Sequence, residues 1–343
     1  MKIVVLAGGR SSEREVSLAS GSKIANALIA KGHQVLLIDL LVGTPKYTSF
    51  DRAYEECKTD HYYYEVSEVL PDSGKSLENE IGSNILEICD SADITFLALH
   101  GGIGENGKLQ AMFDIYNIKY TGSDSQSSLL AMDKLVTKKL MRFHGIPTAN
   151  WIVVSNLDQL AKVHLPAVVK PIDSGSSLGI SVVETEQKVK IAIKEAFHYS
   201  DSHRILIEEK IEGREFSVGI LGDQILPVIE MIPKSGFYNY QNKYQKNRME
   251  DIVPANVERH LVEQMKILAL KIHRVLGLSV CSKTDLLLDK SNRIFVTEVN
   301  SLPCMMTNSL FSQAAAAEGI EFPELCESII NESLKKYELQ VLV

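Results

Sequence analysis

The chain has 343 residues, of which 45% are hydrophobic and 23% charged, and a formal net charge of -8. Such a balance belongs to a folded globular protein of two or three domains and excludes a disordered or fibrous chain. The acidic balance argues against a nucleic-acid partner, which calls for a concentrated basic surface, and no run of 18 apolar residues is present to span a membrane.

The opening MKIVVLAGG is read as a buried strand, not a secretory leader, because its apolar run stops at Gly8 and Gly9. SLASGSKIANALIAKG follows with helical spacing and a glycine stop, then QVLLIDL as a second strand and DITFLALHG as a third. Continuous apolar strands alternating with helices predict a parallel sheet, whose ligands gather at the carboxyl ends of the strands. GGRSSERE and HGGIGENG lie at that edge. Neither is a dinucleotide fingerprint nor a P-loop. The segment between the second and third strands, KYTSFDRAYEECKTDHYYYEVSEVLPDSGKS, reads as a polar surface excursion. The five cysteines are odd in number and widely spaced, which predicts reduced thiols in a cytoplasmic protein, with Cys281 in the core.

A break near YTGSDSQSS places a domain boundary at about residue 123, followed by one predicted helix, LLAMDKLVTKKLMRFHG, stopping at Gly145 and Pro147. Beyond it, WIVVS, PAVVKP, ISVVE, RILIEEKI and REFSVGILG predict an α+β region with antiparallel strands. VVKPIDSGSSLGISVV is a strand, a Gly/Ser loop and a strand. Its backbone N–H groups, the hydroxyls of Ser174, Ser176 and Ser177, and the charge of Lys170 suit a phosphate, although such turns also occur without a ligand. Glu208, Glu209, Glu212 and Glu215 form either a solvated acidic face or acceptors for a nucleoside. SGFYNYQNKYQKN, with Tyr238, Tyr240, Lys243 and Tyr244, is either an exposed turn or a flap that closes over a site.

The most informative stretch is DLLLDKSNRIFVTEVN. With Ser291 and Asn292 as a two-residue turn, Asp285 faces Glu298, and Asn300 shares their side of the hairpin; a loop of odd length would break this register. Facing carboxylates repel unless one is protonated or a cation lies between them. Three oxygen donors without sulfur or imidazole suit a hard cation such as magnesium, whereas a solvated hairpin face is the plain alternative. Phosphate loop, oxygen triad, lysines and flap together point to phosphoryl transfer from a nucleotide.

These motifs carry a resemblance. GGRSSEREVSLASG, HGGIGENGKLQ, YTGSD with AMDKLVTKKLM, VVKP with GSSLGISVV, YNYQNKY, and EVNSLP with NSL occur in the order found in the D-alanine–D-alanine ligases of the ATP-grasp superfamily, over essentially the full length. The resemblance implies a Rossmann-like, parallel-sheet N-terminal domain (1–123), then a two-part ATP-grasp fold with a central subdomain (124–208) and a C-terminal subdomain (209–343). It implies an ATP-dependent ligase that phosphorylates one D-alanine and joins it to a second for peptidoglycan precursors, working as a cytoplasmic homodimer. Glu13, with Ser176 and Tyr244, is implied to hold the first substrate's ammonium, with His100 nearby. Ser309, Leu310 and Lys243 are implied to bind the second substrate. Lys134, Lys170, Ser177 and Lys243 would contact ATP, Glu208 its adenine and Glu215 its ribose, with Asp285, Glu298 and Asn300 as the ligands of two Mg²⁺ ions.

The chain departs from the family pattern at three positions. Lys283 stands where the family has an arginine that steadies the oxyanion, Cys304 where it has a glycine, and Asn106 where it has an aspartate. The first change keeps the charge and loses the planar donor fork. The second strains the backbone if that position needs a positive φ. The alternatives these changes raise are a ligase for another amino acid or of weaker activity, and a non-catalytic nucleotide-binding relative.

Overall fold

β1 (Lys2–Ala7) is buried along nearly all its length because it is the middle strand of a parallel sheet. α1 (Arg14–Ala30) crosses over to β2 (Gln34–Asp39), which pairs on one side of β1, and β3 (Ile94–Leu97) pairs on the other. This computed structural model describes residues 1–64, 79–156, 163–175, 177–233 and 249–340. Between β2 and β3 the described chain is not all irregular: it forms α2 (Phe50–Cys57) and α3 (Ile85–Asp90). Phe50, fully buried and stacked on Tyr54, pins α2 to the sheet. The polar letters of that segment hid one apolar stripe. Two short helices, α4 (Gly102–Glu105) and α5 (Lys108–Ile115), follow β3.

The predicted single helix is two, α6 (Ser125–Met132) and α7 (Lys134–Phe143). Asp133 leaves the helical region at φ -78°, ψ 99°, and its side chain accepts from the Val136 N–H, capping α7. It also takes a 3.0 Å ion pair from Arg204. The break sets Lys134 at the first turn of α7, aimed across the molecule. Asp133→Ala is expected to destabilise the protein by about 1 to 2 kcal/mol, the usual loss of a cap, measured by urea unfolding.

Next come β4 (Trp151–Val154), β5 (Ala167–Pro171), β6 (Ser181–Val183), α8 (Glu186–His198) and β7 (Ile205–Glu209), whose strands form an antiparallel sheet ordered β4-β7-β5-β6. A second antiparallel sheet is built from β8 (Gly213–Leu221), β9 (Gln224–Ile225), β10 (Ile229–Pro233), β11 (Met249–Ile252), β12 (Cys281–Asp289) and β13 (Ile294–Asn300). Its order is β11-β10-β8-β12-β13, with α9 (Arg259–Val275) packed beneath through Leu261, Met265 and Ile272. α10 (Leu310–Ala317) and α11 (Phe322–Gln340) complete the chain.

The last helix returns to the first. Leu325, Ile329 and Ile330 join Ile24 and Leu28 of α1 in one apolar cluster, and Lys31 pairs with Glu324 at 2.7 Å. Lys336 donates to the Gly122 carbonyl at 2.5 Å and Tyr337 to that of Tyr120 at 3.2 Å. The parallel sheet is thereby held against the sheet carrying β12 and β13, which brings their loops together.

Candidate active site

The Asp285–Glu298 register is present, but by a different route from the two-residue turn. Asp289 N–H bonds the Arg293 carbonyl, so Lys290, Ser291 and Asn292 form a three-residue loop, with Asn292 at φ +58°. That odd loop pairs Leu286 with Val296; a bulge at Thr297 then adds one residue to β13 and restores Asp285 opposite Glu298, and Lys283 opposite Asn300. The Thr297 hydroxyl donates to the Asp285 carbonyl at 3.0 Å, fixing the bulge. Asp285, Glu298 and Asn300 all line one cavity of about 120 Å³.

The carboxylate oxygens of Asp285 and Glu298 are held by cations of the chain itself. Lys283 Nζ donates to both Asp285 oxygens at 2.5 Å, Ser217 Oγ donates to Oδ1 at 2.9 Å, and Lys134 Nζ stands 3.0 Å from Glu298 Oε1. The Asn300 Oδ1 is buried and, among the described residues, has no hydrogen-bond donor. Among the described residues no three His, Cys, Asp or Glu side chains meet in a metal-binding cluster. Two carboxylates and an unsatisfied amide oxygen remain a hard-cation donor set, so the residues fit magnesium.

Glu13 reaches the same cavity from the start of α1, His100 from the loop after β3 and Glu105 from the end of α4. The two loops are joined: Ser11 Oγ donates to the His100 carbonyl at 2.6 Å and accepts from the Glu13 N–H at 3.1 Å. Arg14 is clamped by Asp39 at the end of β2, through a bidentate ion pair. Two glycines make room for the Glu13 carboxylate. A Cβ at Gly101 (φ +66°) would lie 2.9 Å from Oε2, and one at Gly175 2.5 Å from it. Gly175 belongs to the loop between β5 and β6, so the Gly/Ser loop abuts the carboxylate of the other sheet's site.

His100 is buried, which pushes its pKa down to about 4 and leaves it neutral near pH 7; its Nε2 lies 3.2 Å from Ser20 Oγ. Cys304 Sγ lies 3.8 Å from the same hydroxyl, and burial pushes that thiol up to about 11. Cys304 is not among the residues with positive φ, so the backbone strain expected of a side chain there does not arise. Lys283 is the ion-pair partner of Asp285, and the Asn106 Oδ1 accepts from the Lys108 N–H at 3.2 Å.

Glu105 was legible only as part of a loop, not as a site residue. Its Oε2 accepts from the Gly101 N–H at 2.9 Å, and burial, then the charge of Glu13, push its pKa to about 8. The fold therefore holds a proton that the unfolded chain releases near its ordinary 4.5. Between those values the folded state binds more protons, so stability falls as pH rises through that window. In ligand-free protein, Glu105→Gln is expected to flatten the decline in Tm between pH 5 and 8, read by differential scanning fluorimetry.

A larger cleft, about 720 Å³, meets the first cavity at Asp285 and Glu298 and runs between the two antiparallel sheets. Lys134, Lys170, Ser177, Glu208 and Glu215 line it. Lys134 Nζ also donates to the Ser174 carbonyl at 2.5 Å, and its pKa is raised because Glu298, Glu105 and Asp173 outweigh burial. Glu208, 5% exposed, is ion-paired with Lys170 and with Lys138, each at 2.8 Å. Lys138 was not read from the sequence, although it lies one helical turn after Lys134 on α7. Ser177 takes φ +61° in the loop after β5, and Glu215 faces Leu287 across β8 and β12. Ser309 caps α10, accepting from the Ser312 N–H, and with Leu310 lines the smaller cavity. Ser176, Tyr238, Tyr240, Lys243 and Tyr244 lie outside the described residues.

Comparison with known proteins gives matches over both parts. Residues 2–123 match the family model described as the D-ala D-ala ligase N-terminus, and residues 140–331 that of the D-ala D-ala ligase C-terminus. The chain is 40% identical over 351 residues to a D-alanine–D-alanine ligase of Pediococcus pentosaceus, covering 98% of this chain and 99% of that protein. It is 37% identical to that of Halalkalibacterium halodurans, covering 98% of this chain and 100% of the relative. Among solved structures, the D-alanine–D-alanine ligase of Bacillus anthracis complexed with ATP superposes with a TM-score of 0.75 at 26% identity, covering 99% of both chains.

Proposed function

The chain belongs to the D-alanine–D-alanine ligase family, and from that premise we propose the following reading of its site. The protein is an ATP-dependent carbon–nitrogen ligase that joins two D-alanines into the dipeptide used in peptidoglycan precursors. The larger cleft receives ATP and the smaller cavity the amino acids, with the Asp285–Glu298 pair at their junction carrying the assignment.

A carboxylate becomes an acyl donor only when one of its oxygens is made a leaving group, and transfer of phosphate from ATP supplies that change. Glu13 holds the first D-alanine's ammonium, beside neutral His100, with the Ser176 and Tyr244 side chains completing that subsite. Lys134 and Lys170 face the ATP phosphates, Ser177 borders them, and Glu215 faces the ribose. The Glu208 carboxylate, engaged by two ammonium groups, orders Lys138 and Lys170 in place of accepting from adenine. Asp285, Glu298 and Asn300 would hold magnesium, which would neutralise phosphoryl oxygens. Lys283 then supports charge on the reacting carboxyl, and Ser309, Leu310 and Lys243 seat the second D-alanine. The Tyr244 position favours an amine acceptor over a hydroxy acid.

The reading includes domains at 1–123, 124–208 and 209–343, a cytoplasmic location where ATP is available, and a homodimer. Among the described residues no helix is long and apolar enough to cross a membrane. Phosphate release with ATP and D-alanine as sole amino acid, together with mass detection of the dipeptide, tests the function. Release only with another D-amino acid would reassign the substrate, and ATP binding without release would overturn the ligase reading.

A further inference from the structure

Asp251 has no part in the mechanism above, yet it lines the amino-acid cavity together with Asn308 and Ser309. Sheet pairing puts it there: Asp251 stands opposite Met231, Met231 opposite Glu215, and Glu215 opposite Leu287. Those four side chains share one face of the sheet, and Asp285, two residues from Leu287 on β12, shares it as well. Among the described residues a single amide fixes the Asp251 carboxylate. Gln313 Nε2 donates to Asp251 Oδ2 at 2.8 Å and to the Asn308 carbonyl at 2.9 Å, so the carboxylate is a neighbour of the turn that presents Ser309. Burial raises the Asp251 pKa, and the Gln313 amide offsets this only in part; among the described residues no cation adds to it. A partly buried carboxylate with one neutral donor gains most from a cationic partner.

We propose that Asp251 receives the ammonium of the second amino acid and so ranks acceptors by the charge on their nucleophile. The inference rests on the ligase reading and extends it to acceptor choice. An amino acid seated by its carboxylate at Ser309 carries its ammonium on the adjacent carbon, within reach of a group tied to the same turn. The attraction acts in the encounter, when the acceptor is still a zwitterion.

Asp251→Asn tests this, because its amide oxygen still accepts from Gln313 while the charge is gone. With D-alanine, the acceptor KM is expected to rise about tenfold, with the donor KM, the ATP KM and Tm unchanged. Competition by D-lactate, which has a hydroxyl in place of the ammonium, should not weaken. Asp251→Glu should recover part of the acceptor affinity. An unchanged acceptor KM in Asp251→Asn would overturn the inference, as would an equal weakening of D-alanine and D-lactate or a uniform loss with a lower Tm. Any of these would make Asp251 only a brace for the turn. Failure of the wild-type protein to join D-alanines would instead remove the ligase reading, and this inference with it.

Discussion

Replacing Glu298 with Gln is expected to lower kcat by about a thousandfold while changing the KM of the donor amino acid little. On the proposed reading the donor's ammonium is taken by Glu13, from the start of α1 and not from β13, so its ground-state affinity is expected to change little. Glu298 instead faces the junction with the larger cleft, opposite Asp285 and 3.0 Å from Lys134. The substitution removes one of two charges in the hard-cation donor set, an effect worth several kcal/mol at a phosphoryl centre, and each 1.36 kcal/mol is a factor of ten in rate. Steady-state kinetics across a magnesium titration checks it. The half-saturating magnesium concentration should rise, and titration of binding with Mn²⁺ by electron paramagnetic resonance, in the absence of turnover, should show weaker uptake. A kcat within tenfold of wild type, with unchanged ion uptake, would remove Glu298 from the donor set.

That prediction depends on a register the sequence made legible for an incomplete reason. Alternation along two apolar runs identified the shared face, and the serine and asparagine marked the turn. The sequence did not reveal that the loop holds three residues, nor that Thr297 bulges to compensate; each alone would turn Glu298 away from Asp285. The Thr297 hydroxyl on the Asp285 carbonyl is a tertiary contact that propensity does not encode. Asp133 was hidden for a related reason: an acidic residue inside a helical period reads as solvent-facing, and only its cap to Val136 and bridge to Arg204 make it a boundary. The two glycine-rich loops were placed at the right sheet edge because parallel topology dictates it. Glu105 and Asp251 were out of reach, since one acquires its character from burial beside Glu13 and the other from pairing in a sheet with distant strands.

Glu208→Gln is expected to have the largest effect on stability, a loss of about 3 to 5 kcal/mol, because it leaves two buried ammonium groups without their counter-charge. Lys138 and Lys170 both point at this carboxylate, and all three residues are nearly enclosed. The balance is already tight in the wild type. Burial, reinforced by Lys170, holds the Lys138 pKa down to about 8 despite its bond to Glu208. Burial opposes ionisation of Glu208 too, but the two lysines prevail and lower its pKa. Removing the carboxylate lowers the Lys138 pKa further, so the unfolded chain, with its ordinary value of 10.5, binds more protons than the folded one over a wider range. The stability of the variant should therefore rise with pH from neutrality towards 10, more steeply than that of the wild type. Urea unfolding at several pH values measures both the loss and its slope. Adding Lys138→Met should return part of the stability, since one of the two stranded charges is then gone, and the pH slope should diminish with it. ATP affinity separates the packing role from the cleft's function: Lys170 stays charged in the double variant but loses its orienting partner, so ATP should bind more weakly even where the fold has recovered. Wild-type stability in Glu208→Gln, or a slope of the opposite sign, would mean that water already compensates these lysines and that the carboxylate does not order the cleft.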